Sequence, residues 1–411
     1  MNGYLVFILA LLVFNWLLSL IVETLNLRHL RTEIPEEFRG TYDASNYAKS
    51  QRYLKDNTRF DQIQSAIMLP LTIAFILLGG FRWVNDIAQG ISAHMILQGL
   101  VFGGILMLIG QAVGLPFGIY STFVIEEKYG FNKTTAKTFI ADLFKGLLLT
   151  ALLGGPIFAL VLWIFSAVPY AWLWAWVALS VIQIFIMFIA PVVIFPLFNR
   201  FTPLEEGELR SAIETYAAEQ NYTLSGIYKI DGSKRSTKSN AYFTGFGKTK
   251  RIALYDTLIE NHTTEELVGV LAHEMGHCKR GHIKKTIVIS MASMLLMFFI
   301  LSLFISKEGL YAAFGIEGTP LYAGLIFFGF LYAPISMVLG LLGNMLSRKH
   351  EFEADAFAAE TTQAPGKMIA ALKKLSVDNL SNLTPHPLKV FLEYSHPPVL
   401  ARIKALREIG S

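Results

Sequence analysis

Residues 172–198 read WLWAWVALSVIQIFIMFIAPVVIFPLF, a stretch that contains no charged residue. A helix needs about 20 consecutive apolar residues to cross the hydrocarbon core of a bilayer, and this stretch is longer than that. Its length and composition therefore predict a transmembrane helix. Pro191 removes a backbone hydrogen-bond donor inside the stretch, so we do not expect a straight helical rod over its whole length.

Six further stretches have the same apolar character. They cover residues 4–22, 63–81, 95–124, 146–165, 287–305 and 321–346. The stretch 95–124 also contains a proline, Pro116. The chain is 53% hydrophobic and only 16% charged, whereas about a quarter of the residues are charged in soluble domains. The sequence thus predicts a mainly α, polytopic membrane protein with seven transmembrane helices.

The distribution of Lys and Arg predicts how these helices are oriented. Of the 35 basic residues, all but Arg82, Lys145 and Lys307 lie in the segments that follow the first, third, fifth and seventh spans. Basic segments stay on the cytoplasmic side of a membrane, so the N-terminus is expected outside and the C-terminus in the cytoplasm. The net charge of +4 then reflects membrane topology, and we expect no nucleic-acid partner.

The predicted spans divide the chain into four parts. Residues 1–198 carry the first five spans and residues 286–346 the last two, while the polar segments 199–285 and 347–411 both lie on the predicted cytoplasmic side. These polar segments are long enough to form a small α+β domain.

The first polar segment has the pattern of short strands followed by a helix. The strands are predicted at residues 227–230, 241–244 and 251–255, separated by turns rich in Gly, Ser and Lys. The helix is predicted from Thr263, because Thr263 and Glu266 form the capping-box pattern that begins many helices.

That helix contains His273-Glu274-Met275-Gly276-His277, the H-E-x-x-H pattern. Side chains four residues apart share one helix face, so both imidazoles can reach one cation and Glu274 can reach a water bound to it. A catalytic zinc has three protein ligands and one open position. The motif therefore predicts one Zn²⁺ per chain, with Glu274 as general base, and it requires a third ligand from elsewhere.

Glu351, in the sequence E-F-E-A-D of residues 351–355, is the best candidate for the third ligand. Glu351 and Asp355 share a helix face, so one can bind the metal while the other accepts a hydrogen bond from a ligand imidazole. Spacing alone leaves Glu353, Asp355 and His350 open as ligands. A charged helix face exposed to solvent would give the same pattern.

These motifs resemble the zinc signature of the M48 metallopeptidases, and within that family the chain is most similar to the type I CAAX prenyl proteases. Further similar segments are Ile34-Pro35, Tyr42-Asp43, 47–51, 126–132, 239–242 and 395–397. The resemblance implies a seven-helix bundle around an intramembrane chamber, with a zincin-type protease domain at its cytoplasmic end. It also implies cleavage near a C-terminal C-a-a-X sequence whose cysteine is prenylated.

The resemblance also implies roles for individual residues. His273, His277 and Glu351 would hold the zinc, Glu274 would activate the water, and Asp355 would support a ligand histidine. Asn240 and Ala241 would lie on a strand that pairs with the substrate backbone. His396 would donate a hydrogen bond to the oxyanion; its alternative role is that of a histidine before a helix start at Pro397-Pro398.

Two other functions remain open at this point. A quality-control protease like HtpX would use the same chemistry, with a peptide or protein substrate that need not be prenylated. A seven-helix receptor or transporter with a structural zinc would leave Glu274 idle and would lack a suitable fourth ligand. The C-terminal residues 407–411 contain no retrieval signal, which favours a bacterial inner membrane, with the endoplasmic reticulum expected for a eukaryotic source.

Overall fold

The computed structural model of the protein describes residues 2–244 and 251–409. Seven helices in this part of the chain are long and apolar enough to cross a membrane. They are Gly3–Arg28, Ala44–Leu77, Met95–Glu126, Ala136–Ala167, Ala171–Leu197, His282–Phe304 and Leu321–Thr362. Each contains most of one predicted span. The prediction of a polytopic, mainly α protein with seven spans is therefore confirmed.

The first five spans are built from six helices, with one short helix connecting the second span to the third. In chain order these are α1 (Gly3–Arg28), α2 (Ala44–Leu77), the connecting α3 (Gly80–Ile91), α4 (Met95–Tyr120), α5 (Ala136–Leu149), α6 (Gly155–Ala167) and α7 (Ala171–Ile189). A π-helical segment, Ala190–Ile194, follows α7 and contains Pro191. The missing donor of proline thus coincides with a break in regular α-helix, as expected from the sequence.

The polar segment after the fifth span folds into a small sheet with helices. Its elements are β1 (Phe201–Pro203), α8 (Glu208–Glu219), β2 (Gly226–Ile230), β3 (Ala241–Thr244), β4 (Arg251–Tyr255), α9 (Asp256–Asn261) and α10 (Thr264–Lys279). Within the described residues the strand order is β1-β2-β4-β3. The central pair β2 and β4 is parallel and the other two pairs are antiparallel, so β3 lies at an edge. All three predicted strands are confirmed.

The predicted cap of α10 is also present. The backbone N–H of Glu266 donates to the Thr263 hydroxyl over 3.4 Å, and the N–H of Thr263 donates to the Glu266 carboxylate over 2.9 Å. Two backbone donors that the helix itself cannot satisfy therefore find acceptors. The cap defines where the metal-motif helix begins.

The remaining helices are α11 (His282–Phe304), α12 (Glu308–Ala312), α13 (Leu321–Thr362), α14 (Pro365–Asp378), α15 (Pro387–Glu393) and α16 (Val399–Ile409). The sequence predicts a span that ends at 346 and a separate helix over 348–360, but α13 runs through both without a break. No glycine or proline separates the two stretches, so nothing interrupts the helix there. One rigid element consequently connects the seventh span to the Glu351 segment.

The middle parts of three of the spans contain no buried residue. At the end remote from the sheet an apolar cluster includes Ile8, Ile76, Phe102, Leu162 and Phe327. Between the ends, none of residues 59–75 of α2, 283–297 of α11 or 329–349 of α13 is buried. A solid bundle would bury one face of each helix along its length. These three stretches lack such a buried face, which agrees with the interior chamber that the resemblance implies.

Candidate metal centre

Close packing of α10 on α13 brings the two sequence motifs together. A Cβ atom built on Gly276 would lie 3.0 Å from the Cα of Ala354 and 3.1 Å from its carbonyl oxygen. The backbones are therefore as near as two small residues permit. Glu351 lies one turn before Ala354, so this approach brings its carboxylate beside the two histidines of α10.

Two imidazole nitrogens and the carboxylate of Glu351 converge between these helices. The Nε2 atoms of His273 and His277 are 3.2 Å apart. Glu351 Oε2 lies 3.5 Å from the first of these nitrogens, and its Oε1 lies 3.3 Å from the second. A tetrahedral zinc with bonds of about 2.0 to 2.2 Å separates neighbouring ligand atoms by about 3.3 to 3.6 Å. The observed separations are close to these values.

The surroundings of Glu351 also indicate a cation. Its side chain is 4% exposed, and no hydrogen bond from the described residues reaches Oε2, although a guanidinium nitrogen of Arg402 lies 3.2 Å away. A buried carboxylate oxygen without a hydrogen bond is rare in proteins because its desolvation is costly. Two imidazole nitrogens and one carboxylate oxygen form a donor set that zinc prefers. These residues fit the metal that the sequence motif implies.

Asp355 contacts the second ring nitrogen of His273, Nδ1. Its Oδ1 lies 2.8 Å from Nδ1 of His273. A hydrogen bond from Nδ1–H to this carboxylate leaves the Nε2 lone pair free to face the other two ligand atoms. The position of Asp355 thus agrees with the supporting role expected from its spacing to Glu351.

Arg402 of α16 completes this arrangement. It donates two hydrogen bonds to the Asp355 carboxylate, of 2.8 and 2.7 Å. Sequence reasoning did not identify Arg402, because it lies in a short basic helix with no motif around it. The pKa of Arg402 is raised: burial opposes its charge, but its hydrogen bonds to Asp355 outweigh that effect.

Two pKa values on α10 are shifted by this environment. Burial opposes protonation of His273, yet the neighbouring carboxylates of Asp355 and Glu351 raise its pKa to about 9. Burial raises the pKa of Glu274 above its ordinary value. Without a metal, His273 therefore carries a proton at neutral pH. A zinc ion competes with that proton because only the neutral imidazole is a ligand.

Glu274 lines a cavity of about 460 Å³ together with His277, Tyr242, Met187 and other side chains of α7 and α11. Because Tyr242 belongs to β3, the cavity connects the edge strand with the motif helix. The general-base candidate thus faces a space that a substrate side chain could enter.

The other predicted site residues are near but differ in detail. Asn240 lies one residue before β3, not on it, and its carbonyl accepts a hydrogen bond from the N–H of Tyr255 over 3.1 Å. Its side-chain oxygen accepts a hydrogen bond of 2.8 Å from the N–H of Ala241. His396 lies between α15 and α16, with its exposed ring 3.4 Å from Oε1 of Glu351.

Two residues that the sequence left open as ligands lie outside the cluster of His273, His277 and Glu351. Glu353 Oε2 is 2.8 Å from Nε2 of His282, and the His350 ring stacks on that of His282 at 3.9 Å. The geometry therefore favours Glu351 over both as the third ligand.

A seven-span bundle in which an H-E-x-x-H helix packs beside a carboxylate that can act as the third metal ligand is typical of a membrane-embedded metalloprotease. Comparison with known proteins agrees with this class. The family profile described as CAAX prenyl protease N-terminal, five membrane helices, matches residues 23–200. The profile of peptidase family M48 matches residues 203–410.

Individual proteins match along the whole chain. The CAAX prenyl protease 1 homologue of Oryza sativa subsp. japonica is 38% identical, over 98% of this chain and 97% of its own. The human homologue is 34% identical, over 97% and 94%. The crystal structure of S. mikatae Ste24p superposes with a TM-score of 0.94 at 33% identity and covers 99% of both chains.

The chain belongs to peptidase family M48, in its CAAX prenyl protease branch. It is therefore a multi-pass membrane zinc metalloprotease that acts on peptide or protein substrates, and the prediction of an enzyme is confirmed. The alternative of a receptor or transporter with a structural zinc is excluded by this family membership.

Proposed function

We propose that the protein cleaves a peptide bond near the C-terminus of prenylated C-a-a-X substrates, at one zinc ion held by His273, His277 and Glu351. The convergence of the two imidazole nitrogens and the Glu351 carboxylate, with separations of 3.2 to 3.5 Å, carries the metal part of this proposal. The names of the relatives support the substrate class. The middle parts of α2, α11 and α13, which contain no buried residue, are compatible with space for a prenyl chain.

The positions of the side chains support the catalytic roles proposed here. When bound, zinc acts as a Lewis acid and lowers the pKa of a coordinated water toward neutrality. Glu274 accepts the proton of the attacking water and returns it to the departing amine nitrogen. Its raised pKa suits this shuttle, because a general base works best when its pKa lies near the operating pH.

The edge strand β3 supports a role in substrate binding. Ala241 is opposite Leu254 in the antiparallel pairing of β3 with β4. In the preceding residue pair, the N–H of Tyr255 donates a hydrogen bond to the carbonyl of Asn240. Because bonded and non-bonded pairs alternate, the N–H and C=O of Ala241 face away from β4. An extended substrate can pair with them, and its carbonyl would replace the Asn240 side chain as the acceptor of the Ala241 N–H.

His396 is proposed to stabilise the oxyanion. Its ring is 65% exposed, and Nε2 lies 3.4 Å from Glu351 Oε1, at the border of the proposed zinc site. A donor at this position can reach an oxygen that gains negative charge as the water attacks.

We further propose that the active site and the C-terminus face the cytoplasm, with the N-terminus outside. The uneven distribution of Lys and Arg supports this orientation. The membrane is proposed to be the bacterial inner membrane, or the endoplasmic reticulum in a eukaryotic source.

The substrate proposal is tested with the purified full chain in lipid nanodiscs. Two peptides of identical sequence, one farnesylated at the C-a-a-X cysteine and one not, are compared by mass spectrometry, with Glu274→Gln as the inactive control. We expect kcat/KM to be higher for the farnesylated peptide. Equal rates for both peptides would contradict a prenyl-specific function and favour general quality control.

A further inference from the structure

The two proposed histidine ligands are supported in different ways. His273 contacts a carboxylate directly, through the 2.8 Å approach of its Nδ1 to Asp355. The corresponding nitrogen of His277 faces another imidazole, since its Nδ1 lies 3.1 Å from Nδ1 of His282. Among the described residues, no carboxylate contacts Nδ1 of His277 as Asp355 contacts Nδ1 of His273.

His282 continues this contact to a carboxylate one step further away. Its Nε2 lies 2.8 Å from Oε2 of Glu353. The His282 side chain is 2% exposed, and its ring stacks on His350 with a centroid distance of 3.9 Å and an interplanar angle of 9°. Burial and stacking hold the ring in one plane, so the two hydrogen bonds at its opposite nitrogens are maintained together.

The direction of each hydrogen bond follows from chemistry. A carboxylate can only accept, so Glu353 fixes the proton of His282 on Nε2. The other nitrogen of neutral His282, Nδ1, must then accept, and it accepts the Nδ1–H of His277. His277 is thereby left with a lone pair on Nε2, the atom that faces His273 and Glu351. These two hydrogen bonds therefore select the tautomer of His277 whose Nε2 can bind a metal.

We propose that His282 and Glu353 act together as positioning residues that fix the tautomer and orientation of His277. The inference rests on the proposed role of His277 as a zinc ligand. It gives Glu353 a function, although its carboxylate is outside the ligand cluster. The Glu353 side chain is 33% exposed and also lies 3.8 Å from Lys349, so its influence is expected to be weaker than that of buried Asp355.

The test measures zinc affinity of the full chain in detergent by competition with a chromogenic chelator. Glu353→Ala is expected to weaken affinity by roughly tenfold, at the lower end of the range for such partners. Glu353→Gln keeps an acceptor oxygen and is expected to restore most of it. The matched control is Glu360→Ala, which removes another exposed α13 carboxylate, one that pairs with Arg280 beside α10.

A double-mutant cycle separates a relay from two independent effects. If Glu353 acts through His282, Glu353→Ala in the His282→Ala background should weaken zinc binding little further. The visible spectrum of the cobalt-substituted protein should change in Glu353→Ala and return in Glu353→Gln, which a purely structural role would not produce. The melting temperature of the metal-free variants checks that each is folded.

Two outcomes would overturn the proposal. One is a Glu353→Ala protein that binds zinc as tightly as the Glu360→Ala control, and the other is full additivity of the two substitutions. His277→Ala is measured in parallel. If it also keeps its zinc, the proposed metal site itself is wrong, whereas loss in His277→Ala with no effect of Glu353→Ala removes only the relay.

Discussion

Arg402 and Asp355 form a buried ion pair in which Nε and Nη2 of the arginine donate to the two carboxylate oxygens over 2.8 and 2.7 Å. The same carboxylate lies 2.8 Å from Nδ1 of His273. This pair connects α16, near the end of the chain, to a histidine of the metal motif. Loss of one partner would leave the other charge buried and uncompensated.

Replacement of Arg402 tests this connection. Arg402→Ala is expected to lower stability by about 3 to 5 kcal/mol because Asp355 loses its buried partner. Arg402→Lys should recover little, since an ammonium group cannot donate in the same bidentate geometry. Thermal unfolding in detergent measures the effect. Arg407→Ala is the control, because its pair with Glu37 is largely exposed and worth at most about 1 kcal/mol. A melting temperature equal to that of the control would contradict a structural role for the buried pair.

Asp355→Ala tests the support of His273. We expect zinc affinity to fall by roughly 10 to 100-fold, because nothing then fixes the proton of the ligand imidazole on Nδ1. Chelator competition provides the measurement, with Glu360→Ala on the same helix as control. Unchanged affinity in Asp355→Ala would mean that packing alone orients His273.

Glu274→Gln separates catalysis from metal binding. The variant should retain its zinc and lose about 10² to 10⁴ in kcat, since the amide cannot accept the proton of the water. Metal content and turnover are measured on the same preparation. Glu265→Gln, an exposed position on the same helix, should behave like the unchanged protein. Wild-type turnover in a zinc-loaded Glu274→Gln protein would remove the general-base assignment.

Zinc uptake should release a proton from His273. Its pKa is raised from 6.5 to about 9 in the metal-free protein, so the ring is protonated between these values and must become neutral to bind zinc. Affinity should therefore rise with pH up to about 9 and level off above it. Calorimetry at pH 7.5 in two buffers of different ionisation enthalpy counts the protons. A binding heat that is the same in both buffers would show that His273 is already neutral.

Local patterns in the sequence were sufficient for much of the fold. The seven spans follow from apolar length alone, and the metal helix follows from the Thr263 cap and the spacing of His273 and His277. The choice of Glu351 also depends on a local relation, its spacing of one helical turn to Asp355. Each of these features is determined by residues close together in the chain.

Contacts between distant elements could not be predicted in this way. Arg402 contacts Asp355 because α16 packs against α13, and no spacing rule relates the two positions. Spacing left Glu353 open as a ligand, but it lies outside the ligand cluster, where α11 brings His282 to it. Which side chain on another helix such a residue contacts depends on how the two helices pack. Hydrophobic periodicity does not specify that packing.

The most direct test of the account is the zinc content of the purified protein and of Glu351→Ala, measured by elemental analysis on folded, detergent-solubilised samples. The unchanged protein should contain about one zinc per chain, because three ligands and one water complete a tetrahedral site. Glu351→Ala should lose most of its metal and all of its proteolytic activity. Full zinc occupancy in a folded Glu351→Ala protein, or an active wild type without zinc, would contradict the proposed centre.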